Sequence, residues 1–320
     1  MHPAFSILLF TTLVGAAQGL VALLALSALG RVPLEPNLVL TALQIAVVLL
    51  VAGLAASFLH LGRKTQAWRA VLMWRTSWMS REVIVLPAFI VLVAVWWYSI
   101  RAFAKMPTPI ATPLPGQWWW LMPALVLTGA LVLWYCTAMI YACLRFIEEW
   151  AHPLTIINFT LIGLSSGMVL GCAIAAVVGD VVLIRSSGLS AIAITLLAWV
   201  VRGVSLRRNA GIKHKSTLQS ATGVHSPRLV QKSMGMSAGS FNTREFFHGA
   251  KLATLRNVKV GFQVLAFGVP LLLMVWGLLS HTGLPWVLAV IVQVPGLLAE
   301  RWYFFAQAKH PQNLYYQVVS

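Results

Sequence analysis

Long apolar stretches with few charges alternate with polar segments along most of the chain. They run at about 5–29, 38–60, 83–100, 122–145, 154–178, 188–206, 257–280 and 284–306. A helix needs roughly 20 mostly apolar residues to cross the hydrocarbon core of a bilayer. The pattern therefore predicts eight spans. The sixth has the shortest uncharged core, bracketed by Arg185 and Arg202, and Arg202 is expected to snorkel outward and extend it. The seventh and eighth are separated only by SHTGLP, a tight turn with Gly283 and Pro285. No internal repeat supports an inverted-repeat transporter architecture. The expected fold class is an all-α integral membrane protein, an eight-transmembrane-helix bundle forming one domain over 1–320, with a long loop at about 207–256.

Composition agrees: 59% of residues are hydrophobic and 9% charged, which excludes an ordinary soluble domain. The formal net charge of +16 would point to nucleic acid in a soluble protein; here it records basic loops. With eight spans, nineteen of the 23 Lys and Arg residues fall on the side that carries the termini. Both termini are therefore expected in the cytoplasm. The N-terminal run lacks a basic leader and is too long for a signal peptide, so it reads as a retained first span. Cys136, Cys143 and Cys172 all lie in apolar runs and lack the motif spacing of an iron–sulfur or structural zinc site, so neither is expected in this chain.

Chemistry concentrates in Ser57 to Glu82, SFLHLGRKTQAWRAVLMWRTSWMSRE, between the second and third spans. A polar and aromatic cluster at membrane depth marks a place where a ligand or proton is handled. The imidazole of His60 can hydrogen-bond a quinone carbonyl oxygen and titrates in a useful range. Taken alone, it is equally an interfacial side chain. Trp68, Arg69, Ser77, Trp78, Arg81 and Glu82 follow it as candidates to line a pocket for an apolar ring with polar edges. Glu82 is expected to pair with Arg81 or Arg75 at the surface. Arg301, beside Glu300 near the end of the eighth span, lies on the same side, and Gln18 in the first span is a further candidate. Gly15, Gln18 and Gly19 otherwise read as a site of close helix approach. Gln44, Asn158, Gln263 and Gln293 read as interhelical hydrogen-bonding groups, and Asp180 as an ordinary loop residue.

A b-type haem needs paired axial ligands on facing helices within the bilayer. All eight histidines sit at span ends or in loops, so no haem is expected. In the long loop, SFNTREFFHG sets Phe241, Asn242, Arg244, Glu245, Phe246, Phe247 and His248 side by side, a mixture suited to docking another protein or to folding onto its own helix ends.

Five segments, FTTLVGAAQGL, SFLHLGRKTQAWRA with SWMSRE, MIYACLRFIEEWAHPLT, SFNTREFFHG and ERWYFFAQAKHPQNLYYQ, together resemble the DmsC family. These are the membrane anchor subunits of three-subunit molybdenum oxidoreductases, and the sulfite-oxidising branch is the most similar. The resemblance implies a haem-free, eight-helix anchor in the bacterial inner membrane. Its partners would be an iron–sulfur electron-transfer subunit and a molybdopterin catalytic subunit, and its electron carrier ubiquinone or menaquinone. His60 takes the position of the family's quinol-site histidine. In the dimethyl sulfoxide reductase branch that end of the second span faces the periplasm; here the charge count puts it in the cytoplasm, as the sulfite-oxidising branch requires. The expected activity is sulfite:quinone oxidoreduction by the complex, with no molybdenum centre in this chain. The alternatives are an anchor that oxidises quinol for a dimethyl sulfoxide or sulfur-oxyanion reductase and, more distantly, a secondary transporter.

Overall fold

The computed structural model describes residues 5–59, 61, 64–103, 120–213, 217–230 and 252–311. Eight spans are present among them. The helices are α1 (Phe5–Leu29), α2 (Pro36–Leu59), α3 (Trp78–Phe103), α4 (Leu121–Ala142), α5 (Pro153–Val178) and α6 (Val181–Ala210). The short α7 (Leu218–Thr222) follows. The seventh span is α8 (Leu252–Gln263), a π turn (Val264–Gly268) and α9 (Val269–Ser280), and α10 (Leu284–Ala306) is the eighth. A 3-10 helix, Lys64–Met73, joins α2 to α3.

The two most enclosed spans are α1 and α5, whose central windows are 72% and 67% buried. They cross backbone to backbone. A Cβ built on Gly19 would lie 2.1 Å from the Gly163 carbonyl oxygen, and one on Gly167 2.0 Å from the Leu20 nitrogen. Without a hydrophobic drive between helices in lipid, such close approach supplies the packing energy. Around this pair α2, α4, α6 and α10 complete the core, while α3 packs on α2 and α4.

The sixth span departs from its expected length. It is a 30-residue helix, not a stretch bounded at 188 and 206, because Asp180 caps it. The Asp180 carboxylate accepts from the backbone of Val182 and Leu183, and also from the Glu35 N–H at 3.2 Å. Asp180 is thus a buried cap that ties two connections together, not an ordinary loop residue. Gly179, at φ 88°, supplies the left-handed turn before it. At the far end Arg207 and Arg208 complement the helix C-terminus, and the helix runs to Ala210. With α8 starting at Leu252, both helices take residues from the expected 207–256 loop.

The seventh span is broken where the sequence suggests a plain helix. Pro270 has no N–H to give the Ala266 carbonyl one turn back. The backbone widens into a π turn, closed by Val269 N–H on the Val264 oxygen. The Gln293 amide then donates to the Ala266 carbonyl at 3.2 Å. Gly296 lets α10 come close enough, since a Cβ there would stand 2.3 Å from the Ala266 nitrogen. This is how a protein satisfies a freed backbone group in a medium without water.

Candidate functional site

Alternation of eight spans puts the start of α1 and the end of α10 at one end of the bundle. At that end lie the start of α3, the close of α4, the start of α5, the last turns of α6 and the start of α8.

The Ser77 hydroxyl accepts from the Ser80 N–H and starts α3. Arg81 folds back over the preceding turn, with Nε on the Trp74 carbonyl at 2.9 Å and Nη2 on that of Arg75 at 2.8 Å. Its guanidinium lies 4.0 Å from the Trp78 ring centre, and Trp78 meets Tyr135 of α4 edge to face at 5.3 Å. Glu82, on the next turn, is buried and accepts from the Thr137 hydroxyl of α4. The expected surface pairing with Arg81 or Arg75 is therefore wrong. The helical turn carries Glu82 inward against α4 while Arg81 is engaged by its own backbone.

Four residues after Thr137, and so on the same face of α4, Tyr141 sits in an aromatic box. It stacks on Phe159 at 5.6 Å and meets Trp150, Phe304 and Phe305 edge to face, each at 5.4 Å. Trp150 Nε1 donates to the Phe304 carbonyl. The Arg301 guanidinium covers Phe159 at 4.0 Å. Tyr141 thus stands between Thr137, which holds Glu82, and Phe159, which Arg301 covers. Behind the box, Glu300 is 2.7 Å from Arg202 Nε of α6 and 3.6 Å from Arg301 Nε. Arg202 does not snorkel: it is 2% exposed.

These observations sort the candidates. Ser77, Trp78, Arg81 and Glu82 gather at one helix start. Arg301 belongs to a second cluster, linked to the first through Tyr141. Trp68 and Arg69 lie outside both, with Trp68 61% exposed. Gln18 is buried within α1 and donates to the Ala130 carbonyl of α4 at 3.1 Å, a packing role away from the helix ends. Gln293 also bonds across helices, whereas Asn158 and Gln263 bond back within their own, and Gln44 is exposed. Of the cysteines, Cys136 and Cys172 are buried and Cys143 is exposed just beyond α4. His60 and the docking candidates Phe241, Asn242, Arg244, Glu245, Phe246, Phe247 and His248 lie outside the described residues. The sequence reading misses Thr137, Tyr141 and the Arg202–Glu300 pair. Depth holds the signal for the last: Arg202 and Glu300, the latter beside Arg301, are opposite charges set into apolar runs that lead to the same end.

The segment between α4 and α5 is ordered against this end. Arg208 Nη1 donates to the Glu148 carbonyl and the Asn209 amide to that of Glu149. His152 caps α5, its Nδ1 accepting from the Leu154 N–H at 3.1 Å. That bond needs an unprotonated Nδ1. Burial, and then the Arg208 charge, hold the His152 pKa below its ordinary 6.5. The folded state thus disfavours the proton, and this cap stabilises above the ordinary pKa and is lost as pH falls through the folded value. Hydrogen-exchange protection at 152–156, corrected for the intrinsic rate at each pH, is expected to fall as the pH drops from about 7.5 to about 5.5. In His152→Asn, which caps without titrating, it should not; an unchanged pH response there would mean that another group controls this turn.

An all-helical multi-pass membrane protein with a buried acid and an arginine-faced aromatic box at one end is the class defined so far. The family described as DMSO reductase anchor subunit (DmsC) matches residues 1–233, and the chain belongs to it. It is also 45% identical to a sulfite dehydrogenase subunit of Allochromatium vinosum, over 100% of both chains. The chain is therefore a membrane anchor subunit of an oxidoreductase complex.

Proposed function

We propose that this chain passes electrons from sulfite oxidation to the quinone pool, as the membrane anchor and quinone-reducing subunit of a three-subunit molybdenum and iron–sulfur sulfite dehydrogenase. The supporting observation is Glu82, a carboxyl buried in the second turn of a span and bonded to the neutral Thr137 hydroxyl, one turn on from Trp78, which meets Tyr135. Reducing a quinone takes two electrons and two protons, so the site must join an apolar surround to groups that exchange protons with water. Glu82 is such a group at the right depth, and an intramembrane carboxyl is a functional candidate by default. In this reading His60 bonds the quinone carbonyl oxygen and Glu82 carries a proton. Trp78 supplies an aromatic wall and Arg301, with Ser77 and Arg81, polar edges. The name of the relative favours sulfite as the electron source. The basic loops favour partner subunits on the cytoplasmic side of a bacterial inner membrane, with Phe241 to His248 as a docking segment. The iron–sulfur clusters and molybdopterin belong to those partners.

His60→Ala is expected to leave the complex assembled and able to reduce soluble dyes with sulfite, and to lower sulfite-dependent quinone reduction by about 100-fold or more, as losing a general acid–base group does. Quinone turnover surviving in that variant removes His60 from the site. Membranes in which quinol drives sulfoxide reduction, and sulfite reduces no quinone, would instead favour the reductase direction named in the family description.

A further inference from the structure

The 3-10 helix Lys64–Met73 has no buried residue. Side chains three apart eclipse in such a helix, so they fall into ridges. Ala67 and Ala70 share one ridge and are half-buried against the protein. Trp68 and Val71 form another, which Trp74 continues in the following turn. This ridge faces outward, with Trp74 53% and Val71 39% exposed, and Leu72 and Met73 beside it, at 64% and 60%, widen the exposed apolar surface. Each tryptophan carries a cation, with Arg69 5.6 Å from the Trp68 ring centre and Arg75 5.4 Å from that of Trp74. No acidic residue occurs between Glu35 and Glu82.

An exposed apolar ridge of this kind needs a cover. Its position says which. The segment connects the ends of two spans, and the span residues nearest to it in sequence, Leu59 at 68% and Met79 at 55% exposure, are open apolar side chains as well. Tryptophan rings flanked by arginines are the composition of the headgroup layer. Anionic phosphates there complement a stretch that carries only positive charge.

We propose that the Trp68–Val71–Trp74 ridge lies in the headgroup layer as a membrane-surface anchor, with Arg69 and Arg75 on anionic lipid phosphates. This goes beyond the quinone reading and takes Trp68 and Arg69 out of the pocket. It also makes this connection a lipid surface rather than a docking surface for a partner protein.

The test uses the full chain, with and without its copurifying partners, in nanodiscs. Cys143→Ser removes the exposed thiol, and Val71→Cys carries an NBD group. Nitroxide on lipid headgroups should quench the NBD strongly and aqueous iodide weakly, with partners present or absent. Arg69→Gln with Arg75→Gln should reduce the nitroxide quenching in discs containing phosphatidylglycerol and change it little in phosphatidylcholine alone. Iodide quenching at 71 in the bare chain that disappears only when partners bind would make the ridge a protein-docking surface and overturn the proposal. Strong iodide quenching in both preparations would place it in water and overturn it as well.

Discussion

Gly167→Val is expected to yield no assembled protein. The Gly167 position meets the backbone of Leu20 and Gly19, not a side chain that can swing aside. Overpacking that side chains can absorb costs about 1–3 kcal/mol. Here α1 and α5 would have to separate, and they are the two helices on which most of the bundle rests. Folded proteins hold only about 5–15 kcal/mol in reserve. Fluorescence-detected size exclusion of a tagged chain should show aggregate or no peak. Gly203→Ala and Gly261→Ala meet nothing within 4 Å and should elute as the parent does. A monodisperse Gly167→Val protein would mean that the α1–α5 crossing does not organise the bundle.

Removing Glu300 has the second largest expected effect. The carboxylate is 1% exposed and lies between two guanidinium groups. Glu300→Ala leaves two buried positive charges without a counter-ion, and breaking a buried pair from one side costs about 3–5 kcal/mol. Arg202→Met should cost less. It takes the cluster from a net charge of one to zero, leaves Glu300 with Arg301, and substitutes an apolar chain of similar length. Thermal unfolding of the purified membrane protein in detergent should rank the parent above Arg202→Met, and that well above Glu300→Ala. If the two variants melt together, packing against Phe262, whose ring centre lies 5.6 Å from the Arg202 guanidinium, rather than charge governs this corner.

The span pattern is legible in the sequence because lipid imposes one dominant constraint, an uncharged length, and hydropathy reports that length directly. It fails where a charge sits inside a helix. Arg202 reads as a terminus because a lone arginine at that depth ordinarily reaches for water; its partner, Glu300, is 98 residues away in sequence. Asp180 is misread for the related reason that a cap is defined by the N–H groups it receives, not by its neighbours in sequence. Glu82 is legible as an anomaly, yet its partner is not. Thr137 is an unremarkable residue inside an apolar run, and only the packing of α3 on α4 sets its hydroxyl against the carboxyl. Tyr141 is hidden in the same way, since aromatic residues are common near span ends and nothing local distinguishes the one that links two clusters. The tight approach of α1 is visible in Gly15 and Gly19, but the glycines that answer it, Gly163 and Gly167, lie on another helix.

The π turn in the seventh span sets which face of that span looks inward. Phe262, in the half that reaches toward Arg202, and Met274, in the half that packs in the main core, are both fully buried. They are twelve residues apart, and a regular helix, turning about 100° per residue, would leave them about 120° out of line. The π turn takes up roughly one residue, and the remaining eleven bring Met274 back to within about 20° of Phe262. The bend at Pro270 thus works as a phase correction. One hydrophobic stripe continues from the charged layer to the far surface, although no single regular helix could carry both ends of it.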